Sequence, residues 1–305
     1  MVDTPSYSRT AEAVAGFTAG LTTTLVAHPL DFIKLRMQLD TTSRSQWQAI
    51  KSVFTNVKDI SRSSNGKLQI KNFTHNIYRG LGPNIIGSTT AWGMYFTFYR
   101  QYKNIILNYS GWDNDQKLNS LHYLGAAFAA GWSTSIITNP IWVIKTRMIS
   151  TDRFQPGAYS SIWDGIKQIY KNEGIKGYYR GLTPALVNVA QGAVQLSIYD
   201  TFKHYMLKNK NKNRKPNSRL TTFQNLYMSA ISKMIATGIF YPLQVVRARL
   251  QVAKKDTRII TLLQSIIRQE GLGALYKGIS ANLARVVPAT CLTFVVYEEI
   301  KALWR

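Results

Sequence analysis

The sequence predicts an all-α membrane protein of six transmembrane helices. Three observations carry that reading: charge-free stretches of membrane-spanning length, a repeat of about 100 residues, and small and polar residues scattered through the apolar stretches. The 305 residues include 38 Lys and Arg against 15 Asp and Glu, a net charge of +23. With 45% hydrophobic and 12% aromatic residues, a disordered polycation is excluded. The mean hydropathy of −0.14 looks soluble and hides how the charges are distributed.

Taken in order, Glu12 to Asp31 encloses 18 uncharged residues, Arg79 to Arg100 encloses 20, Lys117 to Lys145 encloses 27 and Arg180 to Asp200 encloses 19. About 20 helical residues cross a hydrocarbon core. Two further stretches, 220–246 and 279–297, are interrupted only by Lys233 and Arg285. The Thr, Ser, Gly and Asn within these windows suit helices packed around a wet interior. Cys291 is the only cysteine, which excludes a disulfide-stapled fold. Met1 to Thr10 has no signal-peptide core, so targeting information is expected to be internal.

The same pattern occurs three times. His28-Pro29-Leu30-Asp31-Phe32-Ile33-Lys34, Asn139-Pro140-Ile141-Trp142-Val143-Ile144-Lys145 and Tyr241-Pro242-Leu243-Gln244-Val245-Val246-Arg247 each place a cation five residues after a proline. A second cation follows at Arg36, Arg147 and Arg249. In phase with these run Tyr78-Arg79-Gly80, Tyr179-Arg180-Gly181 and Tyr276-Lys277-Gly278, the last two preceded by Glu173-Gly174 and Glu270-Gly271. Copy one has Asn72-Phe73 there. The chain reads as one domain, 1–305, of repeats 9–106, 119–208 and 220–305. Between the two spans of each repeat, Trp47 to Ile60, Ile162 to Tyr170 and Ile259 to Ile267 have helical apolar spacing, as expected of helices lying on a membrane surface. Each proline removes one helix hydrogen bond and is expected to kink its span inward.

Over essentially its whole length this pattern resembles the mitochondrial carrier family. The resemblance implies a six-helix pseudo-threefold bundle in the inner membrane, multi-pass, with three short amphipathic helices on the matrix side and a central cavity opening alternately to each side. It also implies a matrix gate in which the acid of each odd-numbered span meets the base of the next. Here the acid positions hold Asp31, Trp142 and Gln244 and the bases are Lys34, Lys145 and Arg247, so one ion pair, Asp31 with Lys145, is expected. Gln244 is expected to accept from Lys34, and the Trp142 indole to hold Arg247 by a cation–π contact. Gln38 and Gln251 are candidate braces one turn further on, with Ile149 in the third place. At the opposite end, Arg100, Lys103, Asp200, Lys203, Glu298 and Lys301 resemble the cytoplasmic gate except that Arg100 replaces the first acid and would face Lys301, leaving Lys103–Asp200 and Lys203–Glu298 as the expected pairs.

The resemblance places substrate contacts near Gly87, Asn188 and Arg285, seven residues past each marker glycine. A guanidinium inside a membrane needs water or a counter-anion. No carboxylate lies inside the windows, so Arg285 is expected to meet a phosphate or carboxylate of the substrate. Lys233 lies close to three turns before Gln244, on the cavity side of a straight helix, and aligns with Gly20 and Gly131, where small residues let helices approach. Trp92, Tyr95, Gln191 and Gln195 complete the candidate site. Trp at position 142 looks like the carriers of nucleotide-type cofactors. The segments 241–251, 84–96 and 191–195 are similar to the FAD/folate branch, so FAD is the expected cargo, as substrate and not as cofactor, ahead of folate, NAD or pyrimidine nucleotides. Inner-membrane lipids including cardiolipin, and a monomeric state, are expected.

Lys208 to Lys215 reads as a solvated loop near anionic headgroups, and no nucleic-acid-binding motif accompanies it. The four histidines form no metal spacing and no nucleophile has a nearby base, so neither an enzyme nor a metal site is expected. A non-specific pore is the remaining rival.

Overall fold

A computed structural model describes residues 9–43, 45–62, 67, 69–109, 118–152, 157–212, 221–253 and 257–302. Their regular structure is helical: α1 (Arg9–Leu39), α2 (Gln46–Ile60), α3 (Ile70–Ile77), α4 (Leu81–Tyr109), α5 (Ser120–Ser150), α6 (Ile162–Tyr178), α7 (Leu182–Asn188), α8 (Ala190–Lys212), α9 (Thr222–Val252), α10 (Ile259–Glu270) and α11 (Ile279–Ala302). A 3-10 turn, Leu272–Tyr276, links the last two. Ser45 and Ser161 cap α2 and α6 through their hydroxyls, while Asn119 with His122 and Thr221 with Gln224 form capping boxes before α5 and α9.

Five helices, α1, α4, α5, α9 and α11, and the broken pair α7–α8 occupy the six expected spans. The break at Val189 was not foreseen; there the amide turns back to the Leu186 carbonyl. The short α3 was also unforeseen. The six-span reading meets one contrary observation: among the described residues no helix is long and apolar enough to cross a membrane. The hydropathy is lowered by polar side chains facing inward, since Asn84, Thr134, Thr138 and Asn139 are all buried. Large apolar side chains, among them Ile86, Phe96, Trp132, Ile136 and Ile239, are exposed instead.

Helix α1 packs most extensively on α11, α4 on α5, and α8 on α9, so the broad contacts join different repeats. The buried core lies at the end reached by the proline-bearing helices. Phe32 and Met37 of α1 pack with Ala49, Val53 and Val57 of α2 and with Ile149; Val246 and Leu250 pack with Ile266; Val143 and Ile144 pack with Ile169. The marker glycines make the convergence possible. Gly80, Gly181 and Gly278 adopt φ of 79°, 71° and 85°, a conformation costly for other residues. Each lies against the carbonyl of a gate base from another repeat, at Lys145, Arg247 and Lys34 respectively. Of the two glycines thought to admit a neighbour, Gly131 does so: a Cβ there would stand 2.5 Å from Val189. Gly20 has nothing within 4 Å.

The residue before each proline ties its helix to the marker of its own repeat. His28 Nε2 meets the Arg79 carbonyl at 3.1 Å, Asn139 Nδ2 donates to the Arg180 carbonyl at 3.3 Å, and the Tyr241 hydroxyl donates to the Lys277 carbonyl at 3.0 Å. All three side chains are buried.

Candidate functional site

At the converging end, Lys34 Nζ donates to Gln244 Oε1 at 3.1 Å. Gln244 Nε2 donates in turn to Gln191 Oε1 at 3.2 Å, and Gln191 Nε2 to Thr237 Oγ1 at 3.0 Å. Gln191 therefore serves the closed end and does not line the cavity described below. The expected pair of Asp31 with Lys145 does not form. Lys145 Nζ donates to Asn84 Oδ1 at 2.8 Å, and the Asp31 carboxylate is bound by the Arg285 guanidinium. The repeat phase fixed the height of Asp31 along α1 but not which neighbouring helix it would face. Arg285 thus has a protein carboxylate as partner, contrary to expectation, because Asp31 at the edge of its window still reaches inward. The cation–π contact is also reassigned. Lys145 Nζ lies 5.1 Å from the Trp142 ring, one turn away on the same helix, while Arg247 has no hydrogen-bond or ion-pair partner among the described residues.

Gln38 and Gln251 are buried one turn further on. Gln251 Oε1 accepts from Thr146 at 2.7 Å, joining α5 to α9, and each brace has an Nε2 without a hydrogen-bond partner among the described residues. Ile149 fills the third position against Gly80.

Beyond these lie two latches that the sequence pattern contains but that were not read from it. Glu173 binds both Arg147 at 2.6 Å and Arg180 at 2.5 Å; Glu270 binds both Arg249 and Lys277. Burial opposes ionisation of both carboxyls, but the hydrogen bonds and charges of their cations outweigh it and hold each below the usual glutamate value. Arg147 and Arg249 also reach across a repeat boundary. Arg147 Nε donates to the Gln251 carbonyl at 2.7 Å and Arg249 Nε to the Gln38 carbonyl at 3.0 Å. In the first repeat, where Asn72 replaces the acid, Arg36 pairs with Asp152 at 2.6 Å and its buried Nε has no hydrogen-bond partner among the described residues. Arg79 instead donates to the Met148 carbonyl at 2.5 Å. The signal was present in the sequence as the fixed interval of seven between Glu173 and Arg180 and between Glu270 and Lys277.

Toward the other end, a cavity of about 1310 Å³ opens between α4, α5, α7, α8 and α9. Trp92, Tyr95, Asn188 and Gln195 of the candidate set line it, with Tyr99, Tyr123 and Tyr199 in addition. Along α4 the rings form a ladder: Trp92 stacks on Phe96 at 5.7 Å and Tyr95 on Tyr99 at 6.1 Å between centroids. Lys233 is exposed one turn along α9 from Ser229, which lines the cavity. Gly87 is a packing position and not a cavity contact, since a Cβ there would meet Ile141 at 3.1 Å and Trp142 at 3.4 Å.

Of the cytoplasmic gate pairs, Lys103–Asp200 is not formed among the described residues. Arg100, Asp200 and Lys203 are exposed. The side chains of Glu298 and Lys301 lie outside the described residues; of the cationic run expected as a loop, 208–212 instead continue helix α8, and 213–215 lie outside the described residues. One end is therefore held shut by buried contacts while a wide cavity lies toward the other.

The comparisons with known proteins agree with this arrangement. A family model described as mitochondrial carrier protein matches residues 6–110, 116–210 and 218–305. The chain is 40% identical over 302 residues to the mitochondrial FAD carrier protein of Saccharomyces cerevisiae, covering 95% of this chain and 96% of that one. It is 34% identical over 298 residues to a chloroplastic folate transporter of Arabidopsis thaliana, covering 94% and 93%. To a mitochondrial nicotinamide adenine dinucleotide transporter of the same plant it is 32% identical over 314 residues, covering 97% and 80%.

Proposed function

The chain belongs to the mitochondrial carrier family, and on that premise we propose that it transports FAD across the mitochondrial inner membrane by opening one central cavity alternately to either side. In this reading the six long helices cross the membrane, α2, α6 and α10 lie at the matrix surface, and the converging end faces the matrix. The exposed Trp47, Trp163 and Ile260, each in the first turn of one of those helices, suit an interfacial position.

The observation that carries the cargo assignment is the aromatic-walled cavity, read together with the cations of the closed end, which lie outside its lining. Lys34, Lys145 and Arg247 occupy the same position of the three proline-bearing helices, where phosphate groups would offset their like charge. Trp92 lies eight residues beyond Asn84, roughly 12 Å along α4, so a ligand whose phosphates rest near Lys145 can lay a flat ring on the ladder. FAD has two ring systems joined by two phosphates. Asn188 and Gln195 offer amides to ring edges.

Purified protein in liposomes tests this with FAD, FMN, folate, NAD and pyrimidine nucleotides as separate substrates. Saturable FAD uptake that exceeds the others and falls at least tenfold in Trp92→Ala supports the reading. Preferential uptake of folate or NAD transfers the same mechanism to that cargo, and a linear conductance for small ions overturns it.

A further inference from the structure

At the closed end, outside the lining of the large cavity, stand the cations Lys34, Lys145, Arg247 and Arg285 and the carboxylate Asp31, which is engaged by Arg285. The other cations are held less firmly. Lys34 and Lys145 donate to the neutral amides of Gln244 and Asn84, and Arg247 has no partner among the described residues. Both ends of the Asp31–Arg285 pair differ in exposure: the Arg285 side chain is 38% exposed and that of Asp31 14%. The guanidinium is thus reachable while the carboxylate sits behind it.

We infer that Asp31 is the resident counter-ion of the substrate site, occupying Arg285 until a phosphate displaces it, and that it thereby sets the least anionic charge a cargo must carry. The inference rests on the phosphate-bearing cargo proposed above. Carboxylate and phosphate present the same oxygen geometry to a guanidinium, so they compete for one group. A phosphate with several oxygens and more than one charge prevails, whereas an uncharged ring compound leaves the pair intact. A hydrogen-bond chain beside the pair links α1, α4 and α5. His28, one turn before Asp31 on α1, contacts Asn84 Nδ2 through its Nδ1 at 3.3 Å, and Asn84 is the residue that holds Lys145. Binding is therefore a displacement of Asp31 from Arg285, and the return of Asp31 helps expel the cargo.

Removing the carboxylate should tighten anion binding and slow release. Binding of inorganic pyrophosphate is measured by thermal shift in detergent on the wild type, Asp31→Asn, Asp31→Ser, Asp31→Glu and Arg285→Ala, alongside FAD uptake in liposomes. In Asp31→Asn and Asp31→Ser the pyrophosphate midpoint is expected to fall about tenfold, while Asp31→Glu stays near wild type. Arg285→Ala loses the response, and Asp31→Asn in that background restores nothing. The KM for FAD falls with Vmax in Asp31→Asn. A midpoint that is unchanged or higher in both carboxylate-removing variants overturns the inference, as does a tenfold gain that persists without Arg285. Pyrophosphate binding needs no transport, so failure of the cargo panel and failure of the counter-ion are read separately.

Discussion

Gly278 lies so close to Lys34 that a Cβ on it would stand 2.8 Å from the Lys34 carbonyl oxygen. The obstructing atom belongs to the backbone, and φ is +85°. Gly278→Ala therefore adds a clash to a left-handed backbone conformation that costs an L-residue about 1–2 kcal/mol. A fall in melting temperature larger than that of an Ala substitution at the open Gly20 is expected. Equal melting of the two variants would show that the third and first repeats do not depend on this approach.

Gln244→Glu converts the Lys34 contact into an ion pair. Gln191 can accommodate the change by turning its amide, because the Thr237 hydroxyl can donate as well as accept. The closed end is then more stable, and the initial FAD uptake rate should drop severalfold at equal protein incorporation, with a higher melting temperature. Faster uptake would count against a gate made from this pair.

Glu173→Gln leaves Arg147 and Arg180 buried around a neutral amide, and breaking a buried pair costs on the order of 3 kcal/mol. The wild type carries the corresponding pH dependence. Because the folded-state values of Glu173 and Glu270 are depressed, their stabilisation is present above the ordinary glutamate value of 4.5 and is lost as pH falls through the depressed folded value. Melting curves recorded downward from pH 6 should decline below about pH 4.5, less steeply in the variant.

Asn72→Glu supplies the missing acid of the first repeat. Its carboxylate would sit in the place that Glu173 and Glu270 hold in their repeats, within reach of Arg36 and Arg79. A rise of a few degrees in melting temperature is expected, worth about 1 kcal/mol. Loss of stability would mean that Arg36 cannot leave Asp152.

The repeat made the gross plan legible. Proline, gate base and marker glycine recur at fixed phase, and a residue's height along a helix follows from that phase. What phase cannot supply is azimuth. Asp31 turned to Arg285, and Lys145 found Asn84, an amide inside a charge-free window that carried no signal of its own. Trp142 contacts a cation on its own helix because one turn of separation brings i and i+3 together. The latch acids were visible as letters, but their partners lie on other elements, and Val189 interrupts its helix without a glycine or proline to announce it.

The latches also order events in time. Lys277 donates to the Asp40 carbonyl at 2.7 Å, and α11 lies along α1, so the first and last thirds of the chain complete one another. A ribosome releases them in sequence, leaving α1 without its broadest neighbour until synthesis is nearly finished. Closing such a circle requires contacts more than 230 residues apart, which places the slow step of biogenesis at the final hairpin. Any premature stop before α11 should yield an open fragment destined for proteolysis rather than a smaller carrier.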